Sequence, residues 1–215
     1  MLQAPVGFYL DSREVEVFKA LDPKVQDRWH IQSKLKSALL GYATMDLLES
    51  KKDLVFGTWN PRLLRSQQVK RLVDSFHTEG LERFDLKTVI PIVISKRLVH
   101  LPSLAEHPES KLPTFSLAST APEGTKIKCA GGRHRVEALV QYMEDINKNI
   151  EQIHDERKKL ASIPDEELDS AQIARYNKTF QDDIKRLGGI QKYKGEWMIV
   201  VYDEGTQIII VSRCF

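Results

Sequence analysis

The apolar positions change period several times along the chain, and each change predicts an element. Val69, Leu72, Val73 and Phe76 stand at i, i+3, i+4 and i+7, which predicts an amphipathic helix over Ser66 to Thr78. Gly80 follows where a left-handed residue ends such a helix. Thr88 to Ser95 (TVIPIVIS) is nearly continuous in apolar, β-branched residues and predicts a strand, with Pro91 implying an edge position or a bulge. Leu54-Val55-Phe56 and Lys126 to Ala130 predict two shorter strands. Trp197 to Tyr202 (WMIVVY) and Gln207 to Ser212 (QIIIVS), separated by Asp203-Glu204-Gly205-Thr206, predict a hairpin. Between them, residues 96–124 carry prolines at 102, 108, 113 and 122 and predict a long irregular connection.

Helical spacing dominates the remainder. It runs from Arg133 through Met143, Ile146, Ile150, Ile153 and Leu160. Ser162-Ile163-Pro164-Asp165-Glu166-Glu167 then has the chemistry of a new helix start, with proline early and acids in the first turn. The second helix carries Leu168, Tyr176, Phe180, Ile184 and Leu187 and is expected to end at Gly188-Gly189. Together they predict an antiparallel helical hairpin with a charged, solvated exterior. Near the N-terminus, Asp22-Pro23 reads as a helix start. Trp29, Leu35, Leu39, Leu40, Leu47 and Leu48 recur at mixed helical spacing, with Gly41 separating two helices.

Composition narrows the class. The chain has 215 residues, 41% hydrophobic and 29% charged, which is enough apolar surface to bury a core. With 32 Lys+Arg against 30 Asp+Glu, bulk electrostatics argue against a nucleic-acid coat but leave local patches open. Cys129 and Cys214 cannot build a disulfide framework, so a reducing, intracellular setting (cytoplasmic or nuclear) is expected. No run approaches 18 apolar residues, so no membrane span is expected, and Met1 to Leu10 does not read as a signal peptide.

The chemistry gathers at Cys129-Ala130-Gly131-Gly132-Arg133-His134-Arg135-Val136-Glu137-Ala138. A strand runs into two glycines and a helix opens at once, so backbone N–H groups and the positive end of the helix dipole face one spot. Cations in a first turn are unfavourable by themselves, by about 0.3–1 kcal/mol each. They fit there when an anion is bound, and the arginine fork matches phosphate oxygens. The competing reading sends both arginines to water or surface acids and leaves His134 to pack. Cys129, on the strand, reads as a core residue. His100, Glu106, His107 and Glu109 lack a regular metal-ligand spacing, and no metal site is expected there.

The run Gly132 to Ala138 resembles the G-x-[RH]-R-x-x-A box of the ParB/sulfiredoxin superfamily. Asn60-Pro61-Arg62 resembles its N-P-R element, Leu72 to Leu81 its L-x-x-S-I-x-x-x-G-L helix and turn, and Pro91-Ile92-Val93-Ile94 its P-I-x-V strand. Four elements in this order cover residues 54–142, and the strand at 197–202 fits the one that follows the box helix. The resemblance implies a small α+β domain over 53–142 and 196–215. It makes 143–195 an inserted helical hairpin and 1–52 an N-terminal helical accessory segment. It further implies a nucleotide, ATP or CTP as tri- or diphosphate, with or without Mg2+. Carried over by position, Gly132, His134 and Arg135 would hold its phosphates, with Arg62 and Ser75 adding contacts, and the cationic helix start adds Gly131 and Arg133 to that set.

Two departures shape the functional expectation. Arg133 stands where sulfiredoxins have the catalytic cysteine, so sulfinic-acid reduction is not expected. Chromosome-partitioning ParB proteins have glutamate at that place and continue into a helix-turn-helix domain that nothing after residue 142 resembles. Nucleotide binding is therefore the leading expectation. Three alternatives stand beside it. One is phosphoryl transfer or nucleotide hydrolysis with Glu137 or Asp74 as base. Another is a DNA-binding protein or nuclease, and the last is a scaffold that binds a protein partner through the 143–195 hairpin.

Overall fold

A computed structural model describes residues 33–57, 62–163, 170–193 and 195–205. Strands β1 (Leu39–Asp46), β2 (Leu54–Phe56), β3 (Ile90–Ile94), β4 (Ile127–Cys129) and β5 (Glu196–Asp203) form one mixed sheet in the order β1-β5-β3-β4-β2. β1 pairs antiparallel with β5, and β3 with β4, whereas β5 with β3 and β4 with β2 run parallel. Helices α1 (Ser66–Thr78), α2 (Arg133–Ala161) and α3 (Ser170–Lys192) complete an α+β fold. No helix among the described residues is long and apolar enough to cross a membrane.

The continuous apolar runs mark the two central strands. Every residue of β3 is buried, as are Trp197 to Val201 of β5, because both strands are covered on both faces. On one face Ile90, Ile92, Ile127, Trp197 and Ile199 meet Val69, Val73 and Phe76 of α1 and Val136, Leu139 and Met143 of α2. Each such side chain contributes about 1.5–3 kcal/mol by leaving water. Phe76 meets Tyr142 edge-on at 5.9 Å between ring centroids. Trp197 keeps its indole N–H satisfied at 2.9 Å from the Thr88 carbonyl.

Four expectations change. Pro91 is not on an edge: β3 lies between β5 and β4, with Pro91 opposite Val200. The Ala130 N–H still donates to the Pro91 carbonyl at 2.9 Å, so proline forfeits one bond, at the point where β4 leaves the sheet. Residues 39–46 are a strand, not helix, so the N-terminal segment is not helical as far as residue 52. Leu, Ala and Met favour helix locally, but pairing with β5 from Leu39–Tyr202 to Asp46–Glu196 outweighs that preference. Gly41 is a strand residue at a register shift, with φ +148°, and an added Cβ would lie 2.7 Å from the Ala105 carbonyl oxygen. Gly188 and Gly189 sit inside α3, which continues to Lys192 because Leu187 and Ile190 pack on the core.

The irregular 96–124 connection has a structural task. Tyr42 N–H donates to Ala105 O at 2.8 Å, and Ala105 N–H donates back to Tyr42 O at 2.7 Å. Thr44 N–H donates to Pro113 O at 2.8 Å, and Phe115 N–H donates to Thr44 O at 2.7 Å. The loop therefore covers the outer edge of β1, which would otherwise be open to pairing. α2 runs unbroken through 142–143, with Met143 and Ile146 buried, so the domain and the hairpin share one helix. Asn60-Pro61 and the Gln207 to Ser212 strand lie outside the described residues.

Candidate functional site

The site is built where β4 hands over to α2. Gly132 caps the helix with φ +86°, and an added Cβ would stand 2.9 Å from Ile90 Cγ1 in the buried β3. Glycine is required on both counts: the left-handed backbone and the close approach to the sheet. No side chain caps this end of α2, and its first internal bond is Val136 N–H to Gly132 O at 3.0 Å. The N–H groups of Arg133, His134 and Arg135 therefore precede the ladder, at the positive end of a 29-residue helix.

Two side chains of this turn tie it to neighbouring segments. The Arg65 backbone N–H donates to His134 Nε2 at 3.0 Å, which fastens the entry of α1 to the start of α2. A ring nitrogen that accepts carries no proton, so His134 is neutral here with its proton on Nδ1. Its pKa lies below the ordinary histidine value, chiefly through burial and then through the charges of Arg133, Arg65 and Arg62. Arg135 Nη2 donates to the Lys87 carbonyl at 3.1 Å, and burial lowers its pKa.

These residues open onto a cleft of about 410 Å³, a size that suits a small-molecule ligand. Arg62, Lys87, Arg133 and Arg135 line it together with His134, Gly131 and Gly132. Phe56, Leu72, Leu86, Val89 and Pro91 give it an apolar wall. Among the described residues, Lys87, Arg133 and Arg135 enter no ion pair, although Lys51, Lys126, Lys128, Lys148, Lys158 and Arg186 do. Among the described residues its lining carries no carboxylate. Lys87, Arg133 and Arg135 thus bring to the cleft positive charge that no described acid pairs, in a chain of net charge +2.

Six of the seven anticipated binding residues meet here: Arg62, Gly131, Gly132, Arg133, His134 and Arg135. Ser75 does not. Its hydroxyl donates to Glu79 at 2.6 Å. The candidate bases are also elsewhere. Glu137 pairs with Lys51 at 3.2 Å, and Asp74 is exposed on α1. Cys129 lies under the cleft at 1% exposure, and burial pushes its thiol pKa up to about 12. His100 faces Ser116, with 3.4 Å between Nδ1 and Oγ, and the described residues hold no group of three potential metal ligands.

Lys87 and the wall formed by Phe56 and Leu86 were not legible in the sequence. Lys87 sits in a turn where Asp85 Oδ1 accepts its N–H at 2.7 Å, and it holds Arg135 through its carbonyl. A backbone acceptor leaves no residue-type signature. The D-L-K-T turn was the sole local sign.

No curated protein and no solved structure matches the chain. A family model described as "Protein of unknown function (DUF3723) N-terminal domain" does match, over residues 41–150, from within β1 to the middle of α2. That interval contains the box and every residue lining the cleft. Because it spans more than half of the 215 residues, the chain belongs to this family.

Proposed function

We propose that the cleft binds a nucleotide through its phosphates, the reading implied by the resemblance to the ParB/sulfiredoxin superfamily. The observation that carries it is the charge inventory: Lys87, Arg133 and Arg135, beside Arg62, line one cleft whose lining has no acid among the described residues. Assembling like charges costs free energy unless a counter-charge offsets it, and arginine with helix N–H groups suits tetrahedral oxyanions. The apolar wall of Phe56, Leu72 and Leu86 offers a base or sugar a surface that water does not favour.

Binding fits the geometry better than turnover does. Neither Glu137 nor Asp74 lines the cleft, and Glu137 is neutralised by Lys51. A cysteine with a pKa of about 12 is no nucleophile at neutral pH, in keeping with Arg133 at the sulfiredoxin cysteine position. Thermal-shift and calorimetric titration with ATP, CTP, ADP and GTP test the proposal. Stabilisation by at least one nucleotide, reduced in Arg133→Ala, is expected. Arg133 is exposed, so its removal leaves the fold intact. Absence of any shift, or equal binding by Arg133→Ala, rejects the proposal. Phosphate release would indicate hydrolysis, and DNA affinity falling steeply with salt would indicate a nucleic-acid site.

A further inference from the structure

We infer that the cleft takes its phosphate ligand as the metal-free polyanion, and that a divalent cation competes with the cleft's own cations for that ligand. The inference rests on the phosphate-binding reading above and deepens it. Proteins that hold Mg2+ on a nucleotide commonly supply one or two carboxylates beside the substrate phosphates. The residues here do not fit that arrangement. Arg62, Lys87, Arg133 and Arg135 present donors, which cannot ligate a cation. The Nε2 acceptor of His134 is occupied by the Arg65 N–H at 3.0 Å.

Among the described residues no acid lines the cleft, and three acids near it in sequence hold partners of their own. Asp85 Oδ1 accepts the Lys87 N–H at 2.7 Å, Glu137 is with Lys51 at 3.2 Å, and Glu79 accepts from Ser75 at 2.6 Å. Thr58 to Pro61, which precede Arg62, contain no acid in their sequence. The cleft cations thus stand where a metal would otherwise neutralise the phosphates. A bound Mg2+ would cancel two of the ligand charges those residues attract and would set like charges side by side.

The test is calorimetric titration of tripolyphosphate and of ATP into the full chain, once in EDTA and once in saturating MgCl2, with ionic strength matched by NaCl. Binding about tenfold tighter in EDTA is expected, the loss of roughly two water-screened charge contacts. A titration of MgCl2 alone is expected to show no binding. Equal or tighter binding in Mg2+, or saturable binding of Mg2+ alone, overturns this inference and leaves the phosphate site standing. Failure of both probes to bind under either condition overturns the inference together with the phosphate reading.

Discussion

Replacing Gly132 by alanine introduces two separable costs at the centre of the site. The residue sits at φ +86°, where an L side chain costs about 1–2 kcal/mol. Its new Cβ would also lie 2.9, 3.1 and 3.2 Å from Ile90 Cγ1, Cδ1 and Cγ2. Ile90 is fully buried between neighbouring strands, so relief requires movement in the core, at about 1–3 kcal/mol. Stiffening of the unfolded chain offsets about 0.4–1 kcal/mol. The net expectation is a loss of about 2–4 kcal/mol. Gly80 provides the matched control, with φ +87° and nothing within 4 Å of an added Cβ. Urea unfolding of both variants, with unchanged m-values, isolates the Ile90 contact as their difference, about 1–3 kcal/mol. Equal losses at the two positions would refute the argument, because the approach of Gly132 to β3 would then cost nothing.

Three other outcomes follow from the same geometry. His134 has a lowered pKa in the folded chain, so below about pH 6.5 the unfolded chain binds a proton that the folded chain resists. Stability is therefore expected to fall as pH drops from 7 towards 5, more steeply in the native chain than in His134→Gln; parallel profiles by thermal melting would contradict the neutral tautomer. In a Cys214→Ser background, Cys129 is expected to stay inert to a disulfide reagent at pH 8 and to react fully in denaturant. Rapid native labelling would contradict its burial at 1% exposure. Glu137→Gln is expected to cost less than about 1 kcal/mol in urea unfolding, since its pair with Lys51 is partly exposed, and to leave nucleotide affinity intact. A large loss of affinity would return Glu137 to the site.

The sequence carried the fold wherever local pattern and tertiary context agree. Helix α1 matches its expected span from Ser66 to Thr78 because Val69, Val73 and Phe76 bury the face that their spacing defines. β3 and β5 were legible because strands covered on both faces have no room for polar residues. β1 was hidden, since Gly41 and the helix-forming leucines beside it acquire strand geometry through β5 and the loop near Ala105. At the site, the box was visible as residue types at a strand-to-helix junction. Lys87 was not, because a carbonyl bond to Arg135 and a fold that brings residues 87 and 135 together leave no mark in either local pattern. Ser75 carried the expected residue type, but its hydroxyl is engaged by Glu79 and it does not line the cleft.

The central claim is that this cleft is an anion site, and Lys87 tests it independently of the motif. Tripolyphosphate titrated by calorimetry into the native chain and into Lys87→Ala is the most direct measurement. The substitution keeps the carbonyl that holds Arg135 and removes only the ammonium group. One-site binding by the native chain, weakened about tenfold or more in Lys87→Ala, is the predicted result, as expected for losing one charged contact. No binding by the native chain, or the same affinity in both, would contradict it.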